Sequence, residues 1–232
     1  MLYLDILIQQ QEQFFFNSII HMYDYIPDKQ LRSDLRDYCE SAILSLQNQL
    51  KDYFTFSYKL IGSGDTRLMM INGKDNSIDL DYNLVIQRDK KQLIGDPGKI
   101  KHLFMKELKD YFGKDVKVSD STQVITCNVG KMYGYKFSFD IAIIIDCNDG
   151  YMYKIVNDKN MIPARYIWNK IPKSKDYEYK FTTLKRMGYW EDIKELYKAK
   201  KNNYLKRQSD IASFSILIET VNEIIQKNHL EL

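Results

Sequence analysis

Two aspartates interrupt one of the most apolar stretches of the chain. Residues 78–86 read Ile-Asp-Leu-Asp-Tyr-Asn-Leu-Val-Ile, with Asp79 and Asp81 two positions apart. In a strand, residues i and i+2 share a face. Alternation therefore puts Ile78, Leu80 and Tyr82 on one face and both carboxylates on the other. Asp140 stands in a still more apolar run, KFSFDIAIII over residues 136–145. Buried carboxylates are costly unless paired or bound to a cation. Three on neighbouring strands repel one another when ionised. A divalent cation removes that conflict, and hard oxygen donors suit Mg²⁺ or Mn²⁺, not zinc.

Just upstream, the apolar run Tyr58–Ile61 ends in Gly62-Ser63-Gly64. Such a turn can offer backbone N–H groups and a hydroxyl to a phosphate, and glycine lets the backbone come close. Each feature alone has a plain structural explanation: a tight turn, a solvated acidic pair, a charge that protects a strand edge. Together, a phosphate grip and three metal-binding carboxylates point to phosphoryl or nucleotidyl transfer.

The surrounding pattern is α+β. Apolar spacing predicts a helix over Tyr3–Tyr25 that stops at Pro27, and a second from Asp28 to about Tyr53. The pair is expected to cover one face of a small mixed sheet. Strands are expected at Phe54–Ile61, Ile78–Gln87, Val116–Ser119, Thr122–Val129, Tyr135–Asp146 and Tyr151–Val156, with a sharp turn at NGKDNS and a hairpin at Gly130–Gly134. Asp96-Pro97 opens a helix that ends at Gly113. Beyond about residue 157 the chain turns basic and helical, with helices expected at Asp176–Met187, Glu191–Lys206 and Ser209–Lys227. This divides the chain into a core with its N-terminal helices, residues 1–156, and a C-terminal helical lobe, residues 157–232.

Composition limits the alternatives. A net charge of +3 on 232 residues gives no basic patch that indicates nucleic-acid binding. The lysines of residues 194–207 read as a solvated helix face. No apolar run approaches the roughly 18 residues a membrane span needs. Three cysteines, Cys39, Cys127 and Cys147, fit no zinc spacing and are expected as reduced, buried thiols of a cytoplasmic protein. His21, His102 and His229 form no catalytic arrangement with a cysteine or serine.

Gly62-Ser63, then Asp79-x-Asp81, then Asp140 resembles the DNA-polymerase-β-like nucleotidyltransferase superfamily over residues 54–146. The resemblance implies a core in which Gly62 and Ser63 hold nucleotide phosphates. It implies that Asp79 and Asp81 ligate the metals, Mg²⁺ or Mn²⁺. Asp140 would ligate the catalytic metal and help deprotonate an acceptor hydroxyl. Thr66-Arg67 takes the place of the small-residue step that follows the serine in that superfamily, with Arg67 reaching phosphate, and NGKDNS is an insertion. The implied activity is transfer of a nucleoside monophosphate from an NTP, ATP among them, to a hydroxyl. The acceptor is open among a small molecule, RNA, a protein and a second nucleotide. The alternative is a non-catalytic module of the same fold that binds nucleotide or a partner. Lys154, Arg165 and Lys185 are candidates for steering the triphosphate.

Overall fold

A parallel pair of long strands forms the spine of the computed structural model, which describes residues 22–65, 67–159, 165–172, 175–207 and 213–232. These strands are β4 (Ser77–Asp89) and β7 (Tyr135–Asp146), and they pair from Ser77↔Lys136 to Ile86↔Ile145. Parallel neighbours require a crossover. Here it is helix α3 (Pro97–Phe112) followed by the hairpin of β5 (Lys117–Asp120) and β6 (Ile125–Met132). β6 pairs antiparallel with the first half of β7, and β2 (Phe54–Ile61) pairs antiparallel with β4. β1 (Tyr23–Tyr25) and β3 (Met70–Asn72) extend the sheet beyond β4. β8 (Tyr151–Asp158) and β9 (Arg165–Pro172) extend it beyond the end of β7, giving nine strands among the described residues.

One face of this sheet is the core. Ile78, Leu80, Tyr82, Leu84 and Ile86 of β4 and Phe137, Phe139, Ile141, Ile143 and Ile145 of β7 are buried there. They pack against Leu35, Cys39, Ile43 and Leu46 of α1 (Lys29–Gln49) and Ile100, Phe104 and Leu108 of α3. Both helices start where the sequence marks them. Asp28 accepts from the N–H groups of Gln30 and Leu31 at 2.8 and 3.2 Å. Asp96 accepts from Lys99 N–H at 2.9 Å. A second apolar cluster joins Leu68 and Met70 to the C-terminal helices α4 (Lys175–Arg186), α5 (Trp190–Lys206) and α6 (Ser213–Lys227).

Three expectations change. Residues 3–21 of the first expected helix lie outside the described residues, and Tyr23–Tyr25 at its end is strand β1. Cross-strand pairing with Met70–Asn72 overrides the local helical pattern there. Residues 165–172 are not part of a helical segment. They form β9, eight residues in register with β8, so residue 157 falls inside a strand. Cys39 and Cys127 are buried free thiols, but Cys147 is exposed in the loop after β7. Among the described residues, no helix is long and apolar enough to cross a membrane.

The core also encloses a cation. Lys101 of α3 is only 1% exposed. Its Nζ lies 2.6 Å from Asp120 Oδ1 and donates to the Ser121 carbonyl at 2.7 Å. Asp120 Oδ2 also accepts from Tyr166 Oη at 2.6 Å and Asn157 Nδ2 at 2.8 Å. Burial raises the Asp120 pKa, but the hydrogen bonds from Lys101, Tyr166 and Asn157 outweigh it and hold the carboxyl below its ordinary value. That contribution to stability is complete above about pH 4, the unfolded carboxyl value, and is lost as the pH falls through the lower folded value. Lys101→Met leaves the carboxylate without its cation and is expected to cost about 3 kcal/mol in urea unfolding at pH 7. It should also flatten the acid loss of stability below about pH 4. An unchanged urea midpoint in this variant would contradict the anchoring role.

Candidate active site

The face of the sheet opposite the core carries the acidic residues. Alternation along β4 leaves Asp79 exposed and Asp81 half-buried while their neighbours Ile78 and Leu80 are sealed below. On β7 the same alternation turns Ser138 and Asp140 to this face and Phe137, Phe139 and Ile141 to the core. The parallel register sets Asp81 directly beside Asp140, and Asp79 beside Ser138. All three predicted carboxylates thus share one face of two adjacent strands.

Their electrostatics reflect that crowding. Burial, then the charges of Asp140 and Asp79, push the Asp81 pKa up from its ordinary 3.8 to about 6. Burial also raises Asp140; a hydrogen bond from Thr126 opposes it, and the charge of Asp79 adds to it. Ser138 Oγ donates to Asp79 Oδ1, and Thr126 stands opposite Asp140 in the β6–β7 register. Among the described residues, no three acidic, histidine or cysteine side chains converge into a group able to hold a metal ion. The chemistry of the set nevertheless fits a hard divalent cation, because its residual conflict is three mutually repelling oxygen donors.

The glycine turn sits against this cluster. β2 ends at Ile61, which pairs with Asp81, and the next residue is Gly62 at φ +63°. A Cβ placed on Gly62 would lie 3.6 Å from Asp81 Oδ2. The left-handed backbone calls for glycine, while the 3.6 Å spacing is ordinary contact that places the turn against Asp81. Gly62 then opens the short helical turn α2 (Gly62–Asp65). The Ser63 side chain lies outside the described residues. Arg67 follows, exposed and at φ +60°.

A positive charge reaches the acidic face from the C-terminal helices. Lys201 of α5 is 9% exposed, and its Nζ lies over the Tyr23 ring at 4.1 Å. Burial lowers its pKa to about 8, against the attraction of Asp79 and Asp81. Lys154 of β8 also feels Asp81, and its Nζ donates to Gln123 Oε1 at 2.6 Å. Of the three steering candidates, Lys154 is coupled to Asp81. Arg165 lines a groove with Trp168, and Lys185 stacks on Trp190 with its Nζ 4.6 Å from the ring. In the sequence, Lys201 belongs to the lysine run of residues 194–207, whose pattern marks a solvated helix face. The signal that finds it is the four-residue spacing Ile193, Tyr197, Lys201, because the first two are fully buried and the third continues their stripe. Two open grooves of about 490 and 470 Å³ lie between α3 and β9, lined by Asp96, Gly98 and Tyr166 in common and by none of the three carboxylates.

No family model matches the chain, and no curated protein does. Solved structures do. A STING-associated CdnE c-di-GMP synthase from Capnocytophaga granulosa superposes with a TM-score of 0.54 at 19% identity, over 86% of this chain and 62% of that one. CdnC of E. coli MS115-1, solved with ATP, gives 0.51 at 15% identity over 86% and 61%. The same protein in its CdnC:HORMA-deltaN complex gives 0.53 at 13% identity over 94% and 64%. The chain spans less than two thirds of the length of each of these proteins. At these identities the likeness establishes the fold alone, an α+β architecture built on a mixed sheet that this chain shares with those proteins.

The crowding at Asp81 has a measurable cost. Asp81→Asn removes one of three repelling carboxylates and is expected to stabilise the metal-free protein at pH 7. The gain is at most about 3 kcal/mol, since each pH unit of displacement is worth about 1.4 kcal/mol. Urea unfolding in chelator checks it, and a less stable variant would refute the repulsion.

Proposed function

We propose that the protein is a nucleotidyltransferase that moves a nucleoside monophosphate from an NTP to a hydroxyl, with pyrophosphate as the leaving group. The observation that carries this reading is the register of β4 and β7, which sets Asp81 beside Asp140 with Asp79 on the same face. Gly62 borders that cluster in a conformation open to close phosphate approach. The match to a protein named as a c-di-GMP synthase, and to one solved with ATP, supports an NTP donor. It also favours a second nucleotide as the acceptor over RNA, a protein or a small molecule.

In this reading Asp79, Asp81 and Asp140 hold Mg²⁺ or Mn²⁺. The bound ion supplies Lewis-acid activation of the hydroxyl and charge for the leaving oxygen. The chain's own groups do the rest. The backbone around Gly62 and Ser63 receives the terminal phosphates. Arg67, exposed beside that turn, contacts phosphate. Lys201 brings a cation to the face where Asp79 and Asp81 stand and offsets the negative charge of the triphosphate. Asp140 accepts the proton of the attacking hydroxyl at its carboxylate. A protein of this kind works in the cytoplasm, where NTPs are found.

The test is incubation of the purified protein with each α-labelled NTP and Mg²⁺ or Mn²⁺, alone and with RNA, lysate or candidate small molecules. A labelled small product from nucleotides alone is expected. Asp79→Ala and Asp140→Ala should each reduce it at least about 10³-fold, the order seen on loss of a main charge-stabilising group. Lys201→Met should raise the KM for NTP about tenfold, the worth of one charge-assisted contact. Nucleotide binding with no transfer under any condition would place the protein with the non-catalytic modules of this fold.

A further inference from the structure

The turn between β5 and β6, residues 121–124, is joined on one side to the core and on the other to the acidic face. On the core side, Lys101 Nζ holds Asp120 Oδ1 at the end of β5 and the Ser121 carbonyl at the start of the turn. Asn157 Nδ2 and Tyr166 Oη complete the shell of Asp120. A second backbone tie runs from Asn157 N–H to the Thr122 carbonyl at 2.7 Å. The turn therefore has little freedom to shift relative to α3, β8 and β9.

On the site side the turn extends two arms. Gln123 Oε1 accepts from Lys154, the cation that feels Asp81. Ser121 Oγ lies 2.8 Å from Thr126 Oγ1. Thr126 sits directly opposite Asp140 in the β6–β7 register, where its hydroxyl lowers the pKa of that carboxyl. A carboxylate only accepts, so a Thr126 proton directed at Asp140 leaves the Ser121 hydroxyl to donate to Thr126. The polarity of this chain of hydroxyls is thus set by the charge at its end, and such chains strengthen along their length.

We infer that Thr126 is the positioning residue of the site: its hydroxyl, held by Ser121 on the Lys101-anchored turn, fixes the orientation in which Asp140 meets metal and acceptor. A carboxylate on a strand can rotate about two side-chain bonds. Thr126 and its support restrict that rotation from outside the site, as partners of ligating side chains commonly do. The inference rests on the proposed reading of Asp140 as a metal ligand.

The experiment compares wild type, Thr126→Val and Thr126→Ser. Valine keeps the β-branched shape on β6 and removes the hydroxyl; serine keeps the hydroxyl. Two readouts are taken on each: steady-state transfer, and Mn²⁺ affinity by electron paramagnetic resonance without nucleotide. Thr126→Val should lower kcat or Mn²⁺ affinity about 10- to 100-fold, the range found for loss of such a partner. Its KM for NTP should stay within about threefold, and Thr126→Ser should restore most of the loss. A Val variant equal to wild type in both readouts overturns the inference, as does a Ser variant as impaired as Val. If wild type binds Mn²⁺ but transfers nothing, the transfer reading fails alone, and a Mn²⁺ defect in Val rescued by Ser still upholds the role of Thr126. If wild type neither binds Mn²⁺ nor transfers, both fall.

Discussion

The parallel ladder between β4 and β7 is the contact on which the rest of the molecule depends. Ten residue pairs run from Ser77↔Lys136 to Ile86↔Ile145. On one side they weld two rows of apolar side chains into a single core. On the other they bring together charges that repel. These are two consequences of one register, because side chains alternate across a strand. A slip of one residue would turn Asp79 and Asp81 into the core and Ile78, Leu80 and Tyr82 out to water. The burial that stabilises the sheet is thus what enforces the crowding of carboxylates, and the deep core beneath offsets the strain on the face above.

Much of this arrangement could be read from residues in order. Clean alternation around Asp79, Asp81 and Asp140 assigned their strands and their common face. Side-chain caps at Asp28 and Asp96, with Pro97 behind the second, located α1 and α3. What escaped depends on partners distant in the chain. β1 is three residues long and exists because Met70–Asn72 lies alongside. β9 alternates only weakly and is a strand through its pairing with β8. Lys201 looks like one lysine among several until Ile193 and Tyr197 are known to be buried. The register of β4 against β7 is likewise invisible locally, since the crossover of residues 90–134 intervenes.

The site also draws on every layer of the fold. The sheet supplies the carboxylates, the β2–α2 junction supplies Gly62, and the C-terminal helices supply Lys201. β8 supplies Lys154, oriented by Gln123 from the neighbouring turn. This dispersal explains why single motifs in the sequence were weak and their combination was not. It also explains how residues far from the acidic face, such as Lys101 at the centre of the core, come to bear on it.

The short strand β1 lies at an edge of the described sheet. Among the described residues it is the terminal strand in the order β1-β3-β4, so one row of its backbone groups faces away from the described sheet. Tyr23 N–H donates to Asn202 Oδ1 at 2.6 Å, and Asn202 Nδ2 donates to the Tyr23 carbonyl at 3.1 Å. One amide side chain from α5 thus satisfies the outward donor and acceptor of Tyr23 as another strand would. An open edge is a template for edge-to-edge aggregation between molecules. At this position the helix closes it, and the contact that joins the C-terminal helices to the sheet doubles as protection against self-association.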